Sequence, residues 1–201
     1  MNPIRLIPSL LIALALAGCA SSTEKTQTAA DKAPPPSTAN LPAIGGAVTD
    51  PAATIAANIA RAPNLTTLVR LLQAAGLDQT LAGAGPYTLL APSNEAFSRL
   101  QPGTVETLLK PENKQSLVKL LDYVILKGSV TTADLRGRVA ASGGSTTIPT
   151  MEGDTLTVTL TGQIITLTDV NGNRSYIEGG DIPQGNGLVQ VVNGVLIPDL
   201  G

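Results

Sequence analysis

The chain has 201 residues, with 13 Lys+Arg against 15 Asp+Glu, no His, a single Cys, three Tyr, one Phe and no Trp. Without His or a second thiol, Ser-His and Cys-His nucleophiles, His-ligated metals and intrachain disulfides are all excluded, which removes most hydrolases. A formal net charge of −2 gives no basic stripe for nucleic acid, and so few rings leave little to stack on sugars or bases.

Met1 to Ala17 carries one positive charge, Arg5, followed by an apolar run from Leu10 to Ala17 and then Gly18-Cys19. A run of about eight apolar residues cannot cross a hydrocarbon core that needs roughly 20, so the pattern reads as an export signal. Leu16-Ala17-Gly18-Cys19 resembles the lipobox of bacterial lipoproteins. That resemblance implies cleavage before Cys19, acylation of its thiol, and membrane attachment through the lipid. Ala20, where an Asp would retain such proteins, implies the outer membrane. From Ala20 to Asp50 the chain is mostly Ser, Thr, Ala, Lys and Pro, with too little apolar surface to offset ordering entropy. The expected organisation is a signal peptide over 1–18, a lipidated Cys and flexible tether over 19–50, and one folded domain over 51–199.

In that domain, Asp50-Pro51 predicts a helix start, Asp50 as N-cap and Pro51 at the first helical position, continuing through Ile55 and Ile59. Leu65, Leu68, Val69 and Leu72 follow the i, i+3, i+4, i+7 spacing of a helix with one buried face, ended by Gly76. Tyr87 to Ala91 predicts a short strand closed by Pro92, with Ser93 capping a helix that carries Ala96 and Phe97. Pro111 to about Leu126 predicts the longest helix, its stripe made by Leu117, Leu120, Leu121, Val124 and Ile125. The period then changes. Thr155–Thr161 alternates Thr with Leu156, Val158 and Leu160 as a half-buried strand does, Ile164–Thr168 follows, and Asn171-Gly172 offers a tight hairpin turn. Arg174–Glu178 and Leu188–Ile197 complete the set, the last as one strand bent at Gly194 rather than reversed at Asn193-Gly194. Helices early and strands late argue for an α+β domain with largely antiparallel sheets.

Thr88-Leu89-Leu90-Ala91-Pro92-Ser93-Asn94-Glu95-Ala96-Phe97 resembles the signature of fasciclin-like domains (the fasciclin I family). Thr104 to Lys114 resembles the continuation of that signature, and Asn186 to Pro198 its closing motif. The resemblance covers about Pro51 to Asp199 and implies a wedge of two small β-sheets wrapped by helices. It also implies partner-binding candidates. These are Tyr123, at the place of a Tyr-His pair linked to receptor binding in animals, and Asp181-Ile182, at the place of an Asp-Ile pair linked to integrins; Val124 in place of that His, and Gln190 where the closing strand often has His, depart from the family pattern.

Other polar patterns carry weaker chemistry. Ser116-Leu117-Val118-Lys119 matches S-x-x-K of penicillin-interacting enzymes, yet its partner motifs are absent and both polar residues fall on the wet face of the long helix. Asp169, Asn171 and Asn173 mimic the opening of a calcium loop, but Arg174 and Gly180 stand where that loop needs Gly and Glu. Asn64-Leu65-Thr66 and Asn173-Arg174-Ser175 fit the N-glycosylation pattern, and Gly83, Gly85, Gly179, Gly180, Gly185 and Gly187 read as loop glycines. The expectation is therefore a lipid-anchored, non-catalytic binding or adhesion module of the cell envelope, without cofactor or metal, whose partner is a protein, glycan or other envelope component. Two rivals are a periplasmic carrier of a lipid or small apolar ligand, and an envelope hydrolase using Glu178 with Asp181.

Overall fold

The computed structural model describes residues 43–199. The expected signal peptide, Cys19 and the expected tether up to residue 42 lie outside the described residues. The folded chain begins earlier than composition implies: β1 (Ala43–Ile44) pairs antiparallel with β2 (Ala47–Val48), and Ile44 is completely buried. One well-placed Ile is enough to anchor a segment whose average is polar. The first helix, α1 (Ile55–Ile59), is shorter than predicted because Thr54 is its N-cap, accepting from the Ala57 N–H. Asp50 instead accepts from Ala52 N–H at 2.9 Å and shapes the preceding turn.

The helical half otherwise follows its periodicity. After a 3₁₀ turn at Pro63–Leu65, α2 (Thr66–Ala75) buries Leu68, Leu71 and Leu72 and ends at Gly76, whose φ of 83° is the left-handed C-cap. Then come α3 (Asp78–Ala82), β3 (Tyr87–Pro92), α4 (Asn94–Ser98) with Ser93 capping the Ala96 N–H, and α5 (Thr104–Leu108). A 3₁₀ turn at Pro111–Asn113 leads into α6 (Lys114–Tyr123). The predicted helix ran on to Leu126, whereas Ile125–Lys127 is strand β4, antiparallel to β3. Val124, Ile125 and Leu126 are all buried, and an apolar run this short satisfies a helical stripe and a buried strand equally well.

The rest is sheet, with α7 (Thr132–Ala141) laid beside it. That helix opens with a capping box in which Thr131 and Asp134 satisfy each other's backbone N–H groups, and these bonds from Thr131 hold the Asp134 carboxyl below its usual range. β5 (Ser145–Pro149), β6 (Thr155–Thr161), β7 (Ile164–Thr168), β8 (Arg174–Gln184) and β9 (Gly187–Val192) complete a seven-strand series in the order β4-β3-β9-β8-β7-β6-β5. Every pairing is antiparallel except β3 with β9. The start of β8 pairs with β7 and its later part with β9, with register shifts between Ile177 and Gly179 and between Gly179 and Ile182. Gly179 and Gly180 therefore sit inside a strand, not a loop, where bulges bend one ladder into two small sheets.

Gly187 has a specific task. Its φ is +151°, and a Cβ there would lie 1.9 Å from the Tyr87 carbonyl oxygen, so only Gly lets β9 start against β3. β9 ends at Val192, short of the predicted Ile197. No hairpin forms at Asn193-Gly194, because Asn193 N–H donates to Tyr176 O at 3.1 Å and Gly194 N–H to Ser175 Oγ at 3.0 Å. Those bonds carry the chain on along β8, and residues 195–199 continue without a ladder.

Leu120 is 4% exposed, within a core that runs from Ile44 to Leu196. Leu120→Ala should lower unfolding free energy by about 2–5 kcal/mol through the cavity it leaves, while Lys119→Ala should move it by less than about 0.5 kcal/mol; urea denaturation of both variants checks the contrast.

Candidate functional site

Tyr123 is fully buried. Its hydroxyl donates to Thr155 O at 3.2 Å and accepts from Val170 N–H at 3.3 Å, tying the end of α6 to β6 and to the turn after β7. Burial pushes its phenol up to about 12. It offers no surface to a partner, which corrects its expected role. Beside it the Asp122 carboxyl is pushed up, first by burial and then by the nearby Glu152 carboxylate. Lys119 Nζ lies 3.8 Å from Glu152.

Asp181 and Ile182 are likewise committed to the fold. Ile182 is 7% exposed. Both Asp181 oxygens accept from Thr132 N–H, at 2.9 and 3.0 Å, and Oδ2 also accepts from Thr132 Oγ1, so the carboxylate sits at the first turn of α7 where anions are favoured. Gln190 Nε2 donates to Asp181 Oδ1 at 2.7 Å and to Val130 O at 2.9 Å. The Gln that replaces a His thus works as a buried cross-brace. Glu178, by contrast, is exposed, so Glu178 and Asp181 do not form an acid pair that could divide acid and base roles.

Asp169 is 5% exposed. Oδ1 accepts from Asn171 N–H and Asn173 N–H at 2.9 and 2.8 Å, and Oδ2 accepts from Asn173 Nδ2 and Ile197 N–H, each at 2.9 Å. The calcium-like spacing builds a turn whose donors saturate the carboxylate and pin the segment after β9 to the β7–β8 turn. Lys119 of the S-x-x-K match reaches toward Glu152 and Asp199, and Ser116 stays half-buried on α6.

The signature residues prove to be ties as well. Thr88 Oγ1 donates to Gly128 O at 2.7 Å and accepts from Val130 N–H at 2.8 Å. Asn94 accepts from Thr67 N–H and donates to Pro63 O, each at 3.0 Å. Asn186 accepts from Ile55 N–H at 2.8 Å and donates to Leu81 O and Gly83 O at 2.7 Å, joining α1, α3 and the start of β9. Asn58, buried and bonded to both backbone groups of Asp50 and to the Gln184 side chain, escapes sequence reading because an Asn in a short helix carries no signal of burial.

Concave surface remains. An apolar cleft of about 320 Å³ lies between α1, α2 and α3, lined by Ala57, Ile59, Val69 and Leu72 with Gln73 and Asp78 at its polar side. That volume stands at the lower end of small-molecule sites. Among the described residues no group of His, Cys, Asp and Glu could hold a metal ion, and no helix is long and apolar enough to cross a membrane.

Residues 63–198 match the family model of the fasciclin domain. Protein sll1483 of Synechocystis sp. is 34% identical over 161 residues, covering 78% of this chain and 80% of that protein. Transforming growth factor-beta-induced protein ig-h3 of Sus scrofa is 35% identical over 133 residues, which cover 66% of this chain but 18% of the pig protein. A FAS1 domain pair from the insect cell adhesion molecule Fasciclin I superposes with a TM-score of 0.63 at 16% identity, over 74% of this chain and 51% of that one, a likeness of fold.

Removing the Asp169 carboxylate should strand four donors. Asp169→Ala is expected to cost at least about 3 kcal/mol and to speed amide exchange at Asn173 and Ile197 well before Leu121, read by urea unfolding and hydrogen exchange. Asp122 behaves oppositely. Its carboxyl holds a proton more tightly when folded than when unfolded, so its contribution is most favourable below its ordinary 3.8 and declines as pH rises through the raised folded value. Asp122→Asn should therefore raise the denaturation midpoint at pH 7 and leave it nearly unchanged at pH 3.

Proposed function

Because the chain belongs to the fasciclin domain family, we propose that it is a single-domain, non-catalytic adhesion or binding module held at the bacterial envelope by a lipid on Cys19. One observation carries this reading: Asp169, Tyr123, Asp181 and Ile182, which resemble calcium or receptor motifs, are spent on the fold, so function falls to the surface. Support for adhesion comes from the fold likeness to an insect cell adhesion molecule. Support for the anchor comes from Leu16-Ala17-Gly18-Cys19 alone. The address that follows is the outer membrane, with the domain facing the periplasm or the cell exterior. The cleft between α1, α2 and α3 favours a second reading, carriage of a small apolar ligand, although its volume suits a fragment better than a whole lipid.

The test compares cells expressing the full chain with cells expressing Cys19→Ser. The wild type should fractionate with the membrane, incorporate labelled fatty acid and increase cell–cell or cell–surface attachment. Cys19→Ser should be released or remain unprocessed, with attachment lost. Equal membrane retention and fatty-acid labelling of the variant would remove the anchor, and equal attachment of cells lacking the protein would remove the adhesion role. Co-purification of a stoichiometric apolar ligand would favour the carrier.

A further inference from the structure

A cleft of about 250 Å³ is walled by the C-terminal end of α4, the start of β8 and the segment that follows β9. Arg99 and Arg174 both line it, with Tyr176, Asn173 and Asn193 between them. Its walls are cross-braced. Asn193 Oδ1 accepts from Tyr176 N–H at 2.9 Å and Asn193 N–H donates back to Tyr176 O at 3.1 Å. Arg99 Nη1 donates to Asn193 O at 3.0 Å, and Asn173 is bound through its N–H and Nδ2 to Asp169. These bonds hold the groups in place before any ligand arrives, which lowers the entropy cost of binding.

The same bonds leave specific groups uncommitted. The Arg174 side chain is exposed and makes no hydrogen bond or ion pair within the described residues. Arg99 spends one nitrogen on Glu95 at 2.9 Å and the other on Asn193 O, and the Asp169 carboxylate behind the wall is saturated by its own four donors, so the Arg174 guanidinium is the unpaired charge at the cleft. This gives a local positive site on a chain of net charge −2. Asn193 retains its Nδ2 donor and Asn173 its Oδ1 acceptor. Tyr176 keeps part of its surface accessible, while Phe97 and Tyr123 are buried in the core.

We propose that this cleft binds a carboxylated sugar, a uronate unit of an anionic glycan. A guanidinium fork matches a carboxylate with two parallel bonds, an amide donor and acceptor suit ring hydroxyls, and a Tyr ring packs against the apolar face of a pyranose. A bare phosphate would use the arginines and leave the ring and amides idle. The proposal rests on the binding-module reading and gives it a ligand class.

The test titrates the full-length protein by calorimetry with a galacturonate trimer, its carboxyl-reduced neutral counterpart and inorganic phosphate. The charged trimer should bind, weakening as salt rises, and the neutral trimer should bind at least about tenfold more weakly if the carboxylate is read by a fork. Arg174→Gln should lower affinity about tenfold with an unchanged melting temperature, Arg99→Gln should lower affinity at least as much together with a small drop in melting temperature from the lost bond to Asn193 O, and Lys119→Gln, outside the cleft, should change neither. No binding of the charged trimer, equal binding of the neutral trimer, insensitivity to both arginine variants, or full competition by equimolar phosphate would overturn the proposal. If uronate binding is absent while cells still attach through the protein, this inference falls and the adhesion reading stands; absence of both removes that reading too.

Discussion

The pairing of β3 with β9 is the constraint on which the rest depends. It joins Tyr87–Pro92 to Gly187–Val192 side by side and in parallel, so the long chain between them must lead away from β3 and come back to lie beside it. Two residues make that return possible. Gly187 removes the side chain that would collide with Tyr87 O, and Asn186 clamps the returning chain to α1 and α3. β4 and β8 then add on either side, and β8 carries the sheet across its bulges to β7, β6 and β5. A parallel pair closed over so long a loop is entropically expensive, and the apolar residues flanking it, Leu89, Leu90, Val189 and Val192, are all buried to offset that cost.

Buried and half-buried polar side chains then lock what hydrophobic burial brings together. Asp169, Asn58 and Gln190, buried, and Asp181, Asn94 and Asn186, half-buried, each bridge elements distant in sequence, and each bonds at least one backbone group that the short helices and irregular joins leave without a partner. In a domain whose helices are as brief as five residues, helix ends are a large share of the backbone. Side-chain caps and bridges are the available way to satisfy them away from water. Residues that resemble a metal loop or an acid pair are used for this, and the residues left over for recognition lie in clefts and on exposed faces.

Much of the fold was legible in the sequence. Period and punctuation placed α2, β3, the Ser93 cap, β6, β7 and the Asn171-Gly172 turn, because each carries a local signal: a stripe, an alternation, an acceptor before a helix, a residue that tolerates positive φ. The α+β class and the family resemblance followed from the same residues. Val124, Ile125 and Leu126 read as the end of α6 because three apolar residues fit either period, and the choice of strand from Ile125 onward belongs to β3, which offers an open edge. β9 stops at Val192 because its neighbours in β8 capture Asn193 and Gly194, a contact that the local Asn-Gly signal cannot report.

The site was less legible than the fold. Tyr123, Asp181 and Ile182 were marked by their residue types and by resemblance, but whether a side chain faces solvent or core is decided by elements far away in the chain. Tyr123 is enclosed by β6 and the turn after β7, and Asp181 is claimed by the start of α7. The cleft between Arg99, Arg174 and Tyr176 has no sequence motif at all, since α4, β8 and the segment after β9 meet only when the sheet closes. The sequence by itself determined the periodicities, the turns and the exclusion of His- and thiol-based chemistry. The tertiary structure alone decided which polar groups are spent on the fold and which stay free to bind, because burial and hydrogen-bond satisfaction are set by contacts between segments that local residue patterns do not encode.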